Sequence, residues 1–316
     1  MRRATGRGDI LRFELSLRTN GYSGRVRIMY PYLNIGAMHF GTFGLLLWLA
    51  AVAGTAVLHR AFQRDGVDAD ALNVVAMVVI FGVIGAKLWH ELENPAELQM
   101  AMHQVFLPGI SHVGQVAMGF LHWFQAGFAW YGGLLAGIVM LMWQGMLTRP
   151  NGLRAMRGAV RMLDLAAPAA AIGYGVGRIG CLTSGDGDYG RNTTSWWGVH
   201  MRPDSLVPPT PPDALVLPTP LWEFGIAIVL AFLIWKLGSR ARPLGWLTGV
   251  YLSLSGIARF LVEFERINPK LYQGMSNAQV AALGTVVAGL LIIAVVRKRD
   301  VVGGPAPMPV RVESAA

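Results

Sequence analysis

Residues 275–296 read MSNAQVAALGTVVAGLLIIAVV, with no Asp, Glu, Lys or Arg. A helix needs about 20 mostly apolar residues to cross the roughly 30 Å hydrocarbon layer of a bilayer, and this stretch meets that requirement. Working outward, Ile35 to Leu58 and Ala126 to Leu147 meet it equally, also without a charged residue. Four further stretches are long enough but carry ionisable groups: Ala71 to Leu92 with Lys87, Val160 to Ile179 with Asp164 and Arg178, Thr219 to Leu237 with Glu223, and Leu244 to Phe264 with Arg259 and Glu263. The sequence thus predicts an all-α integral membrane protein of seven transmembrane helices. Residues 98–126 lack charge but contain Pro108, Gly109, Gly114 and Gly119, which points to an interfacial or re-entrant element rather than an eighth span.

Composition agrees. Of 316 residues, 53% are hydrophobic and only 14% charged, and the mean hydropathy is +0.44, unlike a surface made for water. Glycine at 39 and methionine at 15 suit helices whose backbones approach closely in lipid. One cysteine, Cys181, rules out an internal disulfide, and no Cys/His spacing suggests a metal. The net charge of +9 lies at the ends of apolar runs rather than on one face, which favours anionic lipid over nucleic acid as partner.

Cytoplasmic loops collect Lys and Arg. Arg60 and Arg64, then Arg149, Arg154 and Arg157, then Arg240 and Arg242, and finally Arg297, Lys298 and Arg299 follow alternate spans. The N-terminus is therefore expected outside and the C-terminus in the cytoplasm of a bacterial cell. Seven arginines within residues 1–28 oppose that orientation; these residues are read either as a basic disordered arm or as preceding a true start at Met29. Residues 29–298 form the membrane domain, with residues 183–218, rich in proline, as a small periplasmic head between the fourth and fifth spans. Residues 299–316 are expected to be a disordered cytoplasmic tail.

Ionisable groups inside spans are expensive and tend to mark function. Lys87, Arg178, Arg259 and Glu263 end outward-running spans, while Tyr131 and Glu223 begin inward-running ones, all within roughly 8 Å of one boundary at 1.5 Å per residue. A single polar pocket at the outer leaflet is expected. Arg259 and Glu263, four apart, share a helix face and can pair. With Arg178 and Lys87 at the same depth, the missing anion is expected to be a phospholipid phosphate.

The segment GRIGCLTSGDGDYGR, residues 177–191, brings glycine-exposed backbone beside Arg178. It resembles the signature of bacterial prolipoprotein diacylglyceryl transferases, a Gly-Arg-x-Gly run leading to an acidic residue and an aromatic-Gly-Arg end. Met29-Tyr30-Pro31, Tyr131-Gly132-Gly133-Leu134, Pro218 to Glu223 and Gly256 to Phe264 resemble other elements of that family in the same order. The resemblance implies transfer of a diacylglyceryl group from phosphatidylglycerol to a cysteine thiol of a secreted preprotein, with no cofactor. It makes Tyr131, Arg178, Arg259 and Glu263 the expected catalytic group. Arg178 and Arg259 would bind the lipid phosphate and Glu263 would orient Arg259. Lys87, Gly132, Gly133, Asp186, Gly190 and Glu223 would bind substrate.

There are departures. Tyr131 stands where the family has a His, Cys181 where it has an Asn, and Phe43 and Ser255 where it has Tyr; one extra residue separates Arg178 from Gly190. A tyrosine is a poor base at neutral pH, and His39 and His122 are the candidate replacements. Two other readings stay open: a catalytically silent phospholipid-binding paralogue, and a small-solute transporter, which would need polar groups at several depths.

Overall fold

In the computed structural model the described residues are 32–297, except 36–37, 97, 101–112, 126, 186–187, 202–205, 207–209 and 212–213, together with 301–302. The expected N-terminal arm, the Met29-Tyr30-Pro31 element, Asp186 and most of the tail lie outside them.

Helices α1 (Thr42–Asp65), α2 (Ala71–Glu93), α3 (Val113–Gln125), α4 (Trp130–Thr148), α5 (Ala155–Ser184), α6 (Thr219–Gly238), α7 (Trp246–Val262) and α8 (Asn277–Val296) dominate the fold. Six of them, α1, α2, α4, α5, α6 and α8, are long and apolar enough to cross a membrane, whereas α7 is shorter at 17 residues. Their outer faces show large apolar side chains such as Trp48, Val229, Phe232 and Leu291, each more than half exposed. That much bare apolar surface belongs in lipid, not water, and the chain is an all-α multi-pass membrane protein.

The first apolar run divides differently from the expected span. Tyr32–Ile35 (β1) and Met38–Gly41 (β2) form an antiparallel hairpin with Leu33 opposite Phe40, and α1 begins only at Thr42. Hydropathy cannot separate a strand from a helix turn, and the helix instead continues past His59 and Arg60 to Asp65, where Gly66 ends it in the left-handed region at φ 61°. Helix α3 falls in the stretch read as an interfacial or re-entrant element and has 13 residues, too few to span.

Helix α5 is the central one, packed by α1, α4, α6 and α7. Its buried face is built from small residues, among them Gly158, Ala159, Ala166, Ala167 and Gly175, which let backbones approach. Glycine does the same where α8 crosses α7: a Cβ on Gly289 would lie 2.6 Å from the Gly249 carbonyl oxygen.

Two polar layers lie at opposite ends of α5. At its N-terminal end Asp65 pairs with Arg161 and, at 2.7 Å, with Arg64, and Asn151 bridges Arg161 Nε (2.9 Å) and the Asp65 carbonyl (2.8 Å). Asp164 accepts from Gly245 N–H (2.7 Å), Thr248 N–H (2.8 Å) and Thr248 Oγ1 (2.7 Å), capping α7 from a neighbouring helix at its positive end. Arg178 lies fourteen residues further on, roughly 21 Å at 1.5 Å per residue. Beyond it the chain forms a small antiparallel patch, in which Val199–His200 (β3) and the segment around Asn192 flank Leu215–Val216 (β4), over a core of Tyr189, Val199, Met201 and Val216. Arg242–Pro243 (β5), between α6 and α7, pairs with Val301–Val302 (β6) beyond α8, at the start of the expected tail.

Candidate functional site

At the C-terminal end of α5, three helices bring their charges to one point. Glu223, the fifth residue of α6, is the hub. Its Oε1 accepts from Tyr174 Oη at 2.7 Å and from Arg259 Nη1 at 2.7 Å; its Oε2 faces Arg178 Nε at 3.1 Å and Arg266 Nη1 at 3.5 Å. Arg259 reaches Glu263 through Nη2 at 2.9 Å, the expected four-residue pair. Glu263, fully buried, also accepts from Asn268 Nδ2 at 2.6 Å and Ser276 Oγ at 2.8 Å, which locks its rotamer. Ser276 forms the capping box of α8 with Gln279, so the start of α8 holds the carboxylate that holds Arg259.

Sequence reasoning missed two members. Arg266, three residues beyond Glu263 and past the end of the expected span, is buried and pairs with Asp188 and Glu223. Asp188 also pairs with Arg178. Asp186, the residue expected among the substrate-binding positions, lies outside the described residues, while Asp188 is the acid of this segment seen on Arg178, beside Glu223. The extra residue in this segment leaves two ways to align its acids, and spacing alone could not choose.

Among the described residues the cluster pairs three guanidiniums, from Arg178, Arg259 and Arg266, with three carboxylates, from Asp188, Glu223 and Glu263, and Lys270 Nζ donates to the Glu263 carbonyl at 3.0 Å. The charges of those six side chains cancel. Guanidinium N–H groups remain nonetheless: among the described residues, Arg178 Nη2 and Arg259 Nε make no hydrogen bond, and both side chains keep some exposure, at 15% and 22%. Two guanidiniums tied to one carboxylate, each with an N–H group left over, have the donor geometry that an anion can accept from.

Gly190 is needed where it stands. Its N–H donates to the Leu217 carbonyl at 2.8 Å, and a Cβ there would meet the Glu265 carbonyl oxygen at 2.7 Å and Leu217 Cβ at 2.9 Å. Cys181 sits beneath Arg178, its sulfur 3.7 Å from Nη1.

The other expected members belong to a second helix pair. Lys87, on α2, is buried against Glu91 at 2.8 Å, donates to the Trp123 carbonyl at 2.6 Å and lies 4.7 Å from the Trp123 ring centroid. Gly132 and Gly133 pack on α2: a Cβ on Gly132 would stand 2.3 Å from the Gly85 carbonyl oxygen. Tyr131 precedes them in the first turn of α4, half exposed, and its hydroxyl has no hydrogen bond among the described residues. His39 lies in β2 and His122 in α3.

Comparison with known proteins bears directly on this arrangement. The family model described as prolipoprotein diacylglyceryl transferase matches residues 31–295. A phosphatidylglycerol–prolipoprotein diacylglyceryl transferase of Pseudomonas syringae is 30% identical over 291 residues, 86% of this chain and 96% of that protein. One of Nitratidesulfovibrio vulgaris is 30% identical over 275 residues, 83% of this chain and 92% of its own. One of Clostridium perfringens is 27% identical over 255 residues, 79% and 89% respectively. With the match running from the first hairpin through α8, the chain belongs to the prolipoprotein diacylglyceryl transferase family.

Proposed function

We propose that this protein transfers the diacylglyceryl group of phosphatidylglycerol to the cysteine thiol of a lipoprotein precursor at the outer leaflet of the bacterial inner membrane. The observation that carries the reading is the shared hold of Arg178 and Arg259 on Glu223, with guanidinium N–H groups left over on both. In the reaction the cysteine sulfur bonds to the terminal glyceryl carbon, the C–O bond to phosphate breaks, and glycerol phosphate departs with the electron pair; the thiol proton passes to phosphate or solvent. Charge grows on the departing phosphate, and fixed guanidiniums stabilise it without reorganising. Glu263 positions Arg259, while Asp188 and Arg266 position Arg178. Tyr131 donates a hydrogen bond to lipid or acceptor rather than acting as base, while Gly132 and Gly133 bring α4 close against α2 beside the buried Lys87–Glu91 pair and so position Tyr131.

In this reading α7 is the seventh span, its reach extended by the turn through Glu263. The cluster end of the bundle and the β3–β4 head face outward. The end holding Asp65, Arg161 and Asp164 faces the cytoplasm, as the loop arginines require.

The test uses purified protein with labelled phosphatidylglycerol and a lipobox peptide. Labelled lipid should appear on the peptide cysteine, and Arg178→Ala or Arg259→Ala should abolish both transfer and lipid binding, with Lys restoring binding only in part because it lacks the fork. A second reading, a silent phospholipid-binding paralogue, is favoured by the internal charge balance of the cluster and by tyrosine at position 131. Lipid binding without any transfer would establish it. Unchanged lipid binding in the double alanine variant would overturn both.

A further inference from the structure

The head carries a strand edge that the bundle does not use. Gly190 and Arg191 both oppose Leu217, since Gly190 N–H donates to its carbonyl (2.8 Å) and the Arg191 carbonyl accepts from its N–H (3.1 Å). This is a bulge, which bends the strand and re-aims the residues after it. Arg191 N–H turns to the Glu265 carbonyl at 2.8 Å. Thr193 N–H then returns to the Leu215 carbonyl at 2.8 Å, which makes Asn192 and Val216 a pair without hydrogen bonds between them. Strand geometry therefore points the Asn192 N–H and C=O away from β4. Among the described residues neither group has a hydrogen-bond partner, and Asn192 and Thr194 are both exposed.

That edge borders a cavity of about 700 Å³ lined by Asn192, Thr194, Trp197, Leu217, Trp222 and Glu265, among others. The cavity adjoins the ion cluster through the backbone: Trp222 precedes the hub Glu223, and Glu265 precedes Arg266. Among the described residues its lining holds the ion pair of Arg191 Nε with Glu265 Oε2 at 2.7 Å, which is internally neutral. A phosphate finds no surplus cation there. An extended polypeptide finds an open backbone edge for its main chain, and threonine, leucine and tryptophan surfaces for small neutral side chains, as strand addition requires.

We infer that the acceptor polypeptide docks as an added β-strand on the Asn192–Thr194 edge, its neutral side chains filling the cavity above Trp222. This rests on the transferase reading and names how its second substrate is held. The strand runs beside Glu265, and the reactive cysteine follows it toward Arg178 and Arg259.

The experiment measures binding of a fluorescent lipobox peptide to the full protein in phosphatidylglycerol nanodiscs, with lipid transfer recorded in the same samples. A series of peptides is N-methylated at one backbone amide at a time. Strand addition predicts weakening at alternate amides only, by about fivefold to tenfold for each hydrogen bond blocked. Thr194→Trp, which fills the cavity from an exposed position, should weaken peptide binding at least tenfold while phosphatidylglycerol binding stays at the parent level. Uniform indifference to N-methylation, or full peptide binding by Thr194→Trp, would overturn the docking inference. So would loss of phosphatidylglycerol rather than peptide in that variant, which would make the cavity a headgroup site. Periodic peptide binding without transfer would support the edge while defeating the transferase reading; transfer indifferent to the edge would do the reverse.

Discussion

Replacing Glu223 by Gln keeps the size of the hub and removes its charge. Glu223 is 3% exposed and holds three guanidiniums, at 2.7, 3.1 and 3.5 Å. At an effective dielectric of about 20, each such contact is worth roughly 4 kcal/mol gross at 4 Å. Summing them overstates the loss, because folding has already desolvated all the charges and the amide oxygen of Gln still accepts from Tyr174 or Arg259. What remains is a cluster of three guanidiniums and two carboxylates, one buried positive charge in excess. Breaking a buried pair by removing one partner costs about 3–5 kcal/mol. At roughly 2 °C per kcal/mol for a chain of this size, the expected loss in Tm is about 6–10 °C, measured by thermal unfolding in detergent free of phosphatidylglycerol. Because the excess charge is positive, an anionic lipid should restore much of the loss while zwitterionic phosphatidylcholine should not. The parent, already neutral, should gain less from the same lipid. A Glu223→Gln protein as stable as the parent, or one rescued equally by both lipids, would refute the hub and its charge balance.

Gly190→Ala places a Cβ 2.7 Å from the Glu265 carbonyl oxygen; backbone must shift, and a stability loss of about 1–3 kcal/mol should come with weaker phosphatidylglycerol binding, since Asp188 two residues earlier holds Arg178. Thermal unfolding and lipid titration of this one variant check both. Tyr131→Phe should lower transfer by no more than about fivefold, the worth of one hydrogen bond, while Tyr131→His should raise it; initial rates of both on one lipobox peptide decide, and complete loss in Tyr131→Phe would make the hydroxyl the catalytic acid or base. In a Cys181→Ser background, cysteines at Arg154 and Arg240 should resist a membrane-impermeant thiol reagent in intact spheroplasts, whereas one at the exposed Trp196 should label. Labelling of Arg154 and Trp196 positions from the same side would break the seven-span topology.

Depth along a helix was legible in the sequence, but direction around it was not. Arg178, Glu223, Arg259 and Glu263 were placed at one level by counting residues from span ends, and the structure joins them because α5, α6 and α7 are mutual neighbours. The same count admitted Lys87 to the group. Lys87 instead has its own carboxylate four residues on, Glu91, by the same helical spacing that pairs Arg259 with Glu263; only the packing of α2 on α4, set by Gly85 and Gly132, decides which helices a residue at that depth can face. Nothing in a hydropathy pattern encodes that choice. The Asp65–Arg161 pair was hidden for a related reason: its partners are 96 residues apart, and Asp65 stood just past an apolar run where a loop charge was equally natural.

Arg266 and Asp188 show a limit of a different kind. Both lie beyond helix ends, where charge is cheap if water is near, so neither looked costly enough to mark a site. The head changes that. Once Tyr189 is buried under β3 and β4, and Gly190 pinned between Leu217 and Glu265, Asp188 is drawn in over Arg178 and Arg266 follows Glu265 beneath it. The charge balance of the cluster is thus a property of the head docked on the bundle rather than of the bundle alone. Asn192 lies four residues after Asp188 on the same segment, just beyond the bulge at Gly190 and Arg191. In the proposed reading, an acceptor docked at that edge sits on the segment whose Asp188 holds Arg178, which joins the site proposed for the acceptor to the one proposed for the phosphate.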